Sequence, residues 1–209
     1  MPLITVSRMY GSGGSEVAAR VAAALGWALL DNAMVDAVAE RLGVTADEVS
    51  AREERVPSLA ERLAETLTLG SPELHTPISN PVIVPTEERM FEVTRRVIAD
   101  AAARGSSVIV GRGAQLMLGE RSDALHVFCV APFADLVARA RARLRPGERR
   151  RPERIVEEMN RNREQYVERH WGRSWRAAEN YHLTVNTGWL GIDGAAELIE
   201  QVARRKFAL

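Results

Sequence analysis

The stretch LITVSRMYGSGGSEVA, residues 3–18, places an apolar run directly before a glycine-rich turn and the start of a helical pattern. Glycines let the backbone turn tightly and point successive N–H groups inward, while the positive end of the helix dipole faces the same cavity. The stretch therefore predicts a strand, a phosphate-binding loop and a helix. The alternative is a tight strand-to-helix connection whose glycines serve packing only. The predicted phosphate-binding residues are Gly11, Ser12, Gly13, Gly14 and Ser15, of which the two serines add hydroxyl donors.

The loop lacks the lysine of the usual phosphate-loop pattern, G-x-x-x-x-G-K-[ST], because Gly14 stands in its place. The only lysine of the chain is Lys206, near the C-terminus, so any cationic contact with phosphate must come from arginine. Arg8, at the end of the first apolar run, is a candidate to replace the lysine, although it could also pair with a nearby acid. A dinucleotide-binding G-x-G-x-x-G pattern starting at Gly11 is disfavoured, since it would need glycine where Glu16 stands.

Composition favours one globular domain with an appended lobe or lid, since 46% of the 209 residues are hydrophobic. Acidic and basic residues balance at 28 each, which gives no case for a nucleic-acid or membrane partner. The single cysteine, Cys129, cannot form an internal disulfide, and no run of about 18 apolar residues predicts a membrane span. We therefore expect a soluble cytoplasmic protein whose partner is a small molecule.

Short apolar runs alternate with long helical patterns, which is typical of an α/β fold around a parallel sheet. The predicted strands cover residues 3–6, 28–30, 108–110, 125–130 and 183–185. Helices are predicted at 14–25, 33–42 and 86–104, from residue 132 onward, and from Pro152 to about 170. Between them, residues 45–70 have helical spacing, and 71–85 contain four prolines that preclude a regular helix, so a ligand-covering or simply mobile loop is expected there.

Two polar side chains follow predicted strands at the edge where open α/β sheets bind ligands. Arg112 lies in the sequence Gly-Arg-Gly directly after the strand at 108–110 and is the strongest side-chain candidate; its alternative role is to cap a helix or pair with a surface acid. Asp31 follows the strand at 28–30, where a carboxylate could orient a substrate hydroxyl, hold Mg²⁺ through water, or only cap the next helix.

The late helices are rich in arginine, and guanidinium groups bind phosphate oxygens bidentately. This array suits a lid over a polyphosphate, although a solvated helix face is the alternative for most of its members. The residues concerned are Arg161, Arg163 and Arg169 on the helix from Pro152, Arg139, Arg141 and Arg143 on the preceding helix, and the basic tip at 149–151.

Three segments together resemble the cytidylate kinase-like family of P-loop proteins. They are SRMYGSGG at residues 7–14, VIVGRG at 108–113, and the stretch from Arg163 through Tyr166, Trp175 and Asn180-Tyr181 to Asn186-Thr187. The resemblance implies a P-loop NTPase of three α/β/α layers with a five-stranded parallel sheet. It also implies a core of residues 1–31 and 105–209, a helical nucleoside-monophosphate-binding lobe at about 32–104 and a lid at about 145–170.

The same resemblance implies transfer of the γ-phosphoryl group of ATP, with Mg²⁺, to CMP, dCMP or another small acceptor. Catalysis then depends on positioning and on arginine or metal electrostatics, without a protein nucleophile. The alternative is a catalytically silent module that binds a nucleotide or phosphorylated metabolite; a homo-oligomer stays open for either. The implied roles are catalysis for Arg8, Arg112 and Arg163, acceptor binding for Asp31, Arg112, Arg161 and Arg169, and metal binding for Ser15.

Three positions depart from the pattern of true cytidylate kinases. Gly14 replaces the loop lysine, Gly113 replaces an aspartate after Gly-Arg, and Asp36 stands where an arginine of the acceptor segment is expected. A carboxylate at position 36 would repel an acceptor phosphate, so either the acceptor differs or another arginine makes that contact.

Overall fold

Five parallel strands form the central sheet, and the computed structural model describes them within residues 1–31, 87–144 and 150–209. The strands are β1 (Leu3–Arg8), β2 (Ala28–Leu30), β3 (Ser107–Val110), β4 (Ala124–Val130) and β5 (Leu183–Asn186). Their order across the sheet is β2-β3-β1-β4-β5, so β1 lies at the centre, with Thr5 opposite Ile109 on one side and His126 on the other. All five strands were predicted, and the α/β class with a five-stranded parallel sheet is confirmed.

Six helices are described between and after these strands. They are α1 (Gly14–Leu25), α2 (Glu87–Arg104), α3 (Ala114–Met117), α4 (Phe133–Ala142), α5 (Pro152–Trp171) and α6 (Thr187–Phe207), with a 3₁₀ turn at Ala178–Asn180. Several boundaries follow from local chemistry: α1 lies between two glycines in the left-handed region, Gly13 and Gly26, and α5 begins with a proline whose missing N–H costs nothing in the first turn. Asn186 caps α6 by accepting hydrogen bonds from the N–H groups of Gly188 and Trp189.

Helices cover both faces of the sheet because side chains alternate along each strand. On one face, Ile4 and Val6 are buried together with Val17 of α1 and Ile199 of α6. On the other face, Leu3 packs against Ala102 of α2, and Phe128 of β4 packs against Val167 of α5. The result is the three-layer α/β/α arrangement, with the carboxyl ends of the strands left open at one edge.

Some predicted features lie outside the described residues. These are the helix at 33–42, the helical spacing at 45–70, the proline-rich segment at 71–85, Asp36 and, of the basic tip at 149–151, the residue at position 149. Within the described ranges, no helix is long and apolar enough to cross a membrane.

Candidate functional site

The glycine-rich loop joins the end of β1 to the start of α1, and its amides divide into two sets. The N–H of Tyr10 donates to Asn160 Oδ1 at 2.7 Å, that of Ser12 to the Met9 carbonyl at 3.1 Å, and that of Gly14 to Ser12 Oγ at 3.3 Å. These bonds hold the loop to itself and to α5.

The amides of Gly11, Gly13 and Ser15 have no acceptor in the described part of the chain. Because buried or half-buried N–H groups require partners, this second set is suited to bind an anion.

Arg139 of α4 fixes the orientation of this loop through hydrogen bonds to a loop carbonyl and to Thr187 at the start of α6. Its Nη1 donates to the carbonyl of Ser12 at 3.0 Å and to Thr187 Oγ1 at 3.2 Å, and its Nη2 donates to the carbonyl of Thr187 at 3.1 Å. Thr187 Oγ1 also lies 2.5 Å from the Ser12 carbonyl. In a trans peptide the C=O and the following N–H point in opposite directions, so these bonds turn the Gly13 N–H away from Arg139. We call Arg139 and Thr187 the loop clamp.

The turn after β3 has an unusual backbone, since three consecutive residues adopt positive φ: Gly111 (74°), Arg112 (60°) and Gly113 (68°). Glycine tolerates this conformation, but for Arg112 it is strained, and such strain concentrates at functional sites. The turn directs the Arg112 side chain to the open sheet edge. Burial, and next the positive charge of Arg8, lower the pKa of Arg112 to about 10. The group therefore stays protonated at neutral pH in a positively charged neighbourhood.

Arg8 reaches across this edge from the end of β1. Its guanidinium lies so close to the backbone of Gly111 that a Cβ there would overlap Nη1, and its Nη2 lies 3.8 Å from Asp31 Oδ1. Asp31 directly follows β2, so the carboxyl ends of three strands contribute to one cluster. Both sequence-level alternatives for Arg8 therefore coexist, because it approaches an acid and also lies beside the loop.

Helix α5 supplies the opposite wall of the site. Arg163 Nη1 donates to the carbonyl of Arg8 at 2.7 Å, and its guanidinium carbon lies 5.8 Å from the centre of the Tyr10 ring. One turn earlier, Asn160 is buried and accepts the Tyr10 amide. Helix α5 is thus bonded both to the end of β1 and to the loop.

These elements enclose a single cavity in which three guanidinium groups meet. Its lining consists of Ser7, Arg8, Gly111, Arg112, Gly113, Gln115, Arg163, Tyr166, Val167 and Trp175. None of these ten described residues is acidic. At its floor Ser7 Oγ donates to Gln115 Oε1 at 3.0 Å, and the Tyr181 hydroxyl donates to the Trp175 carbonyl at 2.7 Å. Such a cavity favours an anionic ligand.

The aromatic end of α5 lies against Gly113, one of the residues that line the cavity. A Cβ at Gly113 would overlap the six-membered ring of Trp171, so position 113 has no room for a side chain. Trp171 itself packs edge-on against Phe91 of α2 with ring centres 5.3 Å apart, and Phe91 stacks on His170 at 3.9 Å. The departure from aspartate at position 113 therefore has a steric reason in this chain.

The predicted site residues are brought together only in part. Arg8, Arg112 and Arg163 line the cavity, and Asp31 approaches it through Arg8. Arg161 and Arg169 are exposed on α5 and are not part of the lining. Ser12 is fully buried, and its hydroxyl accepts the Gly14 amide. The roles of these predicted site residues in ligand binding and catalysis stay predictions.

Other residues of the site were not singled out from the sequence. The pattern gave no reason to separate Arg139 from its neighbours on α4, although it forms the loop clamp with Thr187, a residue of the family signature. Asn160 and Gln115 carry no local motif. Trp189 is 83% exposed in the first turn of α6.

Comparisons with known proteins agree with this architecture. The model of the cytidylate kinase-like family matches residues 3–188. Among solved structures, an uncharacterized protein from Eubacterium ventriosum is 17% identical with a TM-score of 0.68, covering 97% of this chain and 98% of that one. Shikimate kinase from Bacteroides thetaiotaomicron is 14% identical with a TM-score of 0.57, covering 96% and 97%.

A second shikimate kinase, from Acinetobacter baumannii and in complex with shikimate, is 16% identical with a TM-score of 0.54, covering 100% of this chain and 94% of that one. At these identities the likeness shows the fold, which is that of P-loop kinases. Among curated proteins, none matches the sequence significantly.

Proposed function

Because the chain belongs to the cytidylate kinase-like family, we propose that it transfers the γ-phosphoryl group of ATP to a small acceptor. The acceptor is a nucleoside monophosphate, with CMP or dCMP as the family's example, or another small molecule with a hydroxyl or phosphate. Family and fold support a phosphotransferase of the P-loop kinase type. The observation that carries the proposal is the meeting of Arg8, Arg112 and Arg163 in one cavity beside the glycine-rich loop.

The loop fits the phosphates of ATP. The amides of Gly11, Gly13 and Ser15 are available donors at the positive end of α1, where anions are stabilised. The hydroxyl of Ser15, half-buried in the first turn of α1, would hold Mg²⁺ together with phosphate oxygens. When bound, Mg²⁺ supplies charge neutralisation on the β- and γ-phosphates.

The arginines of the cavity supply the remaining positive charge. In the transfer, an acceptor oxygen forms a bond to the γ-phosphorus while the bond from that phosphorus to the β–γ bridging oxygen breaks, and ADP leaves. Arg8 and Arg112 would neutralise the charge on the phosphoryl oxygens, and Arg163 would hold donor and acceptor in register. An acceptor phosphate needs no base, whereas Asp31 would accept the proton of an acceptor hydroxyl.

The positively charged lining of the cavity is proposed to determine which acceptor binds. Since the described residues that line it include three guanidinium groups and no carboxylate, the acceptor carries a phosphate or carboxylate. Arg161 and Arg169, together with Arg112, are proposed to contact it when residues 145–170 act as a lid. The helical lobe at about 32–104 is proposed to complete the acceptor site.

The proposal is tested by measuring ADP release with Mg·ATP and a panel of acceptors that includes CMP, dCMP, other nucleoside monophosphates, shikimate and gluconate. We expect turnover with at least one of them, and a rate lowered about a hundredfold or more in Arg163→Met. Arg154→Met is the matched control, because this exposed arginine lies on the same helix and has no role in the proposed site, and it should change the rate by less than about tenfold. ADP release no faster than slow hydrolysis with every acceptor would refute the proposal.

The missing loop lysine favours a second candidate, the silent binding module. Lys206 lies in the last turn of α6 and is not part of the cavity lining, so the described site contains no ammonium group. Calorimetry with Mg·ATP and CMP separates the two candidates. Tight binding without turnover would support the module, and turnover would support the enzyme.

A further inference from the structure

Two of the four fixed positions in the P-loop pattern differ in this chain. When Gly13-Gly14-Ser15 is aligned with G-K-[ST], the first glycine of G-x-x-x-x-G-K-[ST] falls on position 8. The chain has arginine where the pattern has glycine, at position 8, and glycine where it has lysine, at position 14. Gly13 and Ser15 match. Relative to the pattern, this chain therefore lacks a positive charge at position 14 and has an additional one at position 8.

These two positions are in direct contact. A Cβ placed on Gly14 would overlap the Cβ of Arg8 and would lie 3.0 Å from the Cβ of Cys129. Gly14 is not among the residues with positive φ, so its backbone conformation is open to any residue. Space, and not backbone conformation, therefore requires glycine here. In the same way, a lysine stem at position 14 has room only where position 8 lacks a side chain.

The Arg8 side chain begins beside the first residue of α1 and ends in the cavity. Its guanidinium lies against the backbone of Gly111, with Nη2 3.8 Å from Asp31, and Arg112 lies close enough for the two positive charges to interact. Its stem thus occupies the space over Gly14, while its charge lies at the sheet edge between the loop and the ends of β2 and β3.

We propose that Arg8 and Gly14 are an exchanged pair: the end of β1 supplies the phosphate-binding cation that the pattern places on the loop helix, and position 14 is glycine to make room for it. The inference rests on the proposed function for the role of the charge, while the steric exchange can be tested without any ligand. It predicts that the two positions change together, and that a lysine at position 14 is useful only after Arg8 has been removed.

The steric part is tested by thermal unfolding of Arg8→Gly, Gly14→Ala and the double variant. In the wild-type background, Gly14→Ala should lower Tm by about 5 °C, because a methyl group is forced into occupied space. In the Arg8→Gly background the same substitution should leave Tm within about 2 °C or raise it, since alanine favours a helix. Equal losses of Tm in both backgrounds would overturn the exchange.

The charge part is tested by calorimetric titration of Mg·ATP into wild type, Arg8→Gly, Gly14→Lys and Arg8→Gly/Gly14→Lys. Each single variant should bind about tenfold to a hundredfold more weakly, since a charge-assisted contact is lost or displaced. The double variant should recover to within about tenfold of wild type, with Cys129 limiting the fit. A double variant as weak as the weaker single variant, or Arg8→Gly binding like wild type, would overturn the proposal.

The same titration separates this inference from the proposed function. If wild type does not bind Mg·ATP, the proposed function fails. Thermal unfolding of the single and double variants still decides whether Arg8 and Gly14 compete for space. If wild type binds and the double variant does not recover, the assignment of the charge fails although the kinase proposal stands. Arg8→Met keeps the stem of the side chain and removes its charge, so it should bind Mg·ATP weakly. In the Arg8→Met background, Gly14→Ala should still lower Tm. An unchanged Tm in that background would count against the steric exchange.

Discussion

Replacing Arg139 by methionine is expected to weaken both the fold and the binding of Mg·ATP, while the same replacement of Arg141 changes neither by much. The two arginines are two residues apart on α4, but their surroundings differ. Arg139 bonds the carbonyls of Ser12 and Thr187, whereas Arg141 lies exposed and pairs with Glu153 at 3.4 Å. The pair thus offers a matched comparison of a clamping and a surface arginine.

The size of the effect follows from the bonds that are lost. Hydrogen bonds that involve a charged group contribute about 1.5–3 kcal/mol, so losing the part-buried Arg139 fork should lower the free energy of unfolding by about 2–3 kcal/mol. The Ser12 carbonyl keeps the Thr187 hydroxyl at 2.5 Å, which still orients the Gly13 amide in part. We therefore expect Mg·ATP affinity to fall about tenfold instead of vanishing. The exposed Arg141–Glu153 pair is worth at most about 0.5 kcal/mol.

Urea unfolding measures the stability of both variants, and calorimetry with Mg·ATP measures their affinity. If the reasoning is correct, Arg139→Met loses on both measures and Arg141→Met on neither. An Arg139→Met variant that is less stable but binds Mg·ATP as tightly as Arg141→Met would refute the clamp, because Arg139 would then support the fold without orienting the loop.

Three further predictions concern other parts of the molecule. Burial, and next the neighbouring His182, lower the pKa of His126 to about 4 from its ordinary 6.5. As the pH falls below 6.5, His126 is therefore protonated in the unfolded chain but not in the folded one, and the folded state loses stability. Between pH 7 and 5, urea unfolding should show a loss of about 2 kcal/mol that His126→Asn removes; parallel curves would contradict this. Gly113→Asp should lower the free energy of unfolding by about 2–4 kcal/mol, because its side chain meets Trp171 at a φ of 68°, and it should not create CMP turnover; an unchanged urea midpoint would argue against the close contact. Burial also raises the pKa of Cys129 to about 12, so a thiol reagent should label it only at the rate of unfolding, whereas rapid labelling of the native protein would show that the thiol is accessible.

Much of the fold could be predicted because it depends on patterns that are local in sequence. Apolar runs such as 125–130 give strands, and the glycine-rich stretch after β1 gives a turn and a helix start. The strand ends then place Arg8, Asp31 and Arg112 at one edge, since parallel strands share their direction. This is why three separate segments of sequence led to one site.

The rest of the site depends on contacts between residues far apart in sequence. Arg139, Arg141 and Arg143 look alike as a sequence, yet only the first faces the loop; Arg143 pairs with Glu16 at 2.6 Å. The glycines at positions 14 and 113 read as losses from a family pattern, and only the structure shows the side chains that fill their space.

The strained turn after β3 sets backbone stability against the catalytic role proposed for Arg112. Arg112 is the one non-glycine residue of that turn, at a φ of 60°, and left-handed backbone costs an L-residue roughly 1 kcal/mol. Its burial beside Arg8 adds an electrostatic penalty of the same sign. Arg112→Gly should therefore relieve the backbone strain while removing a proposed catalytic group, and selection for heat resistance alone would act against the residue to which the proposed function assigns catalysis.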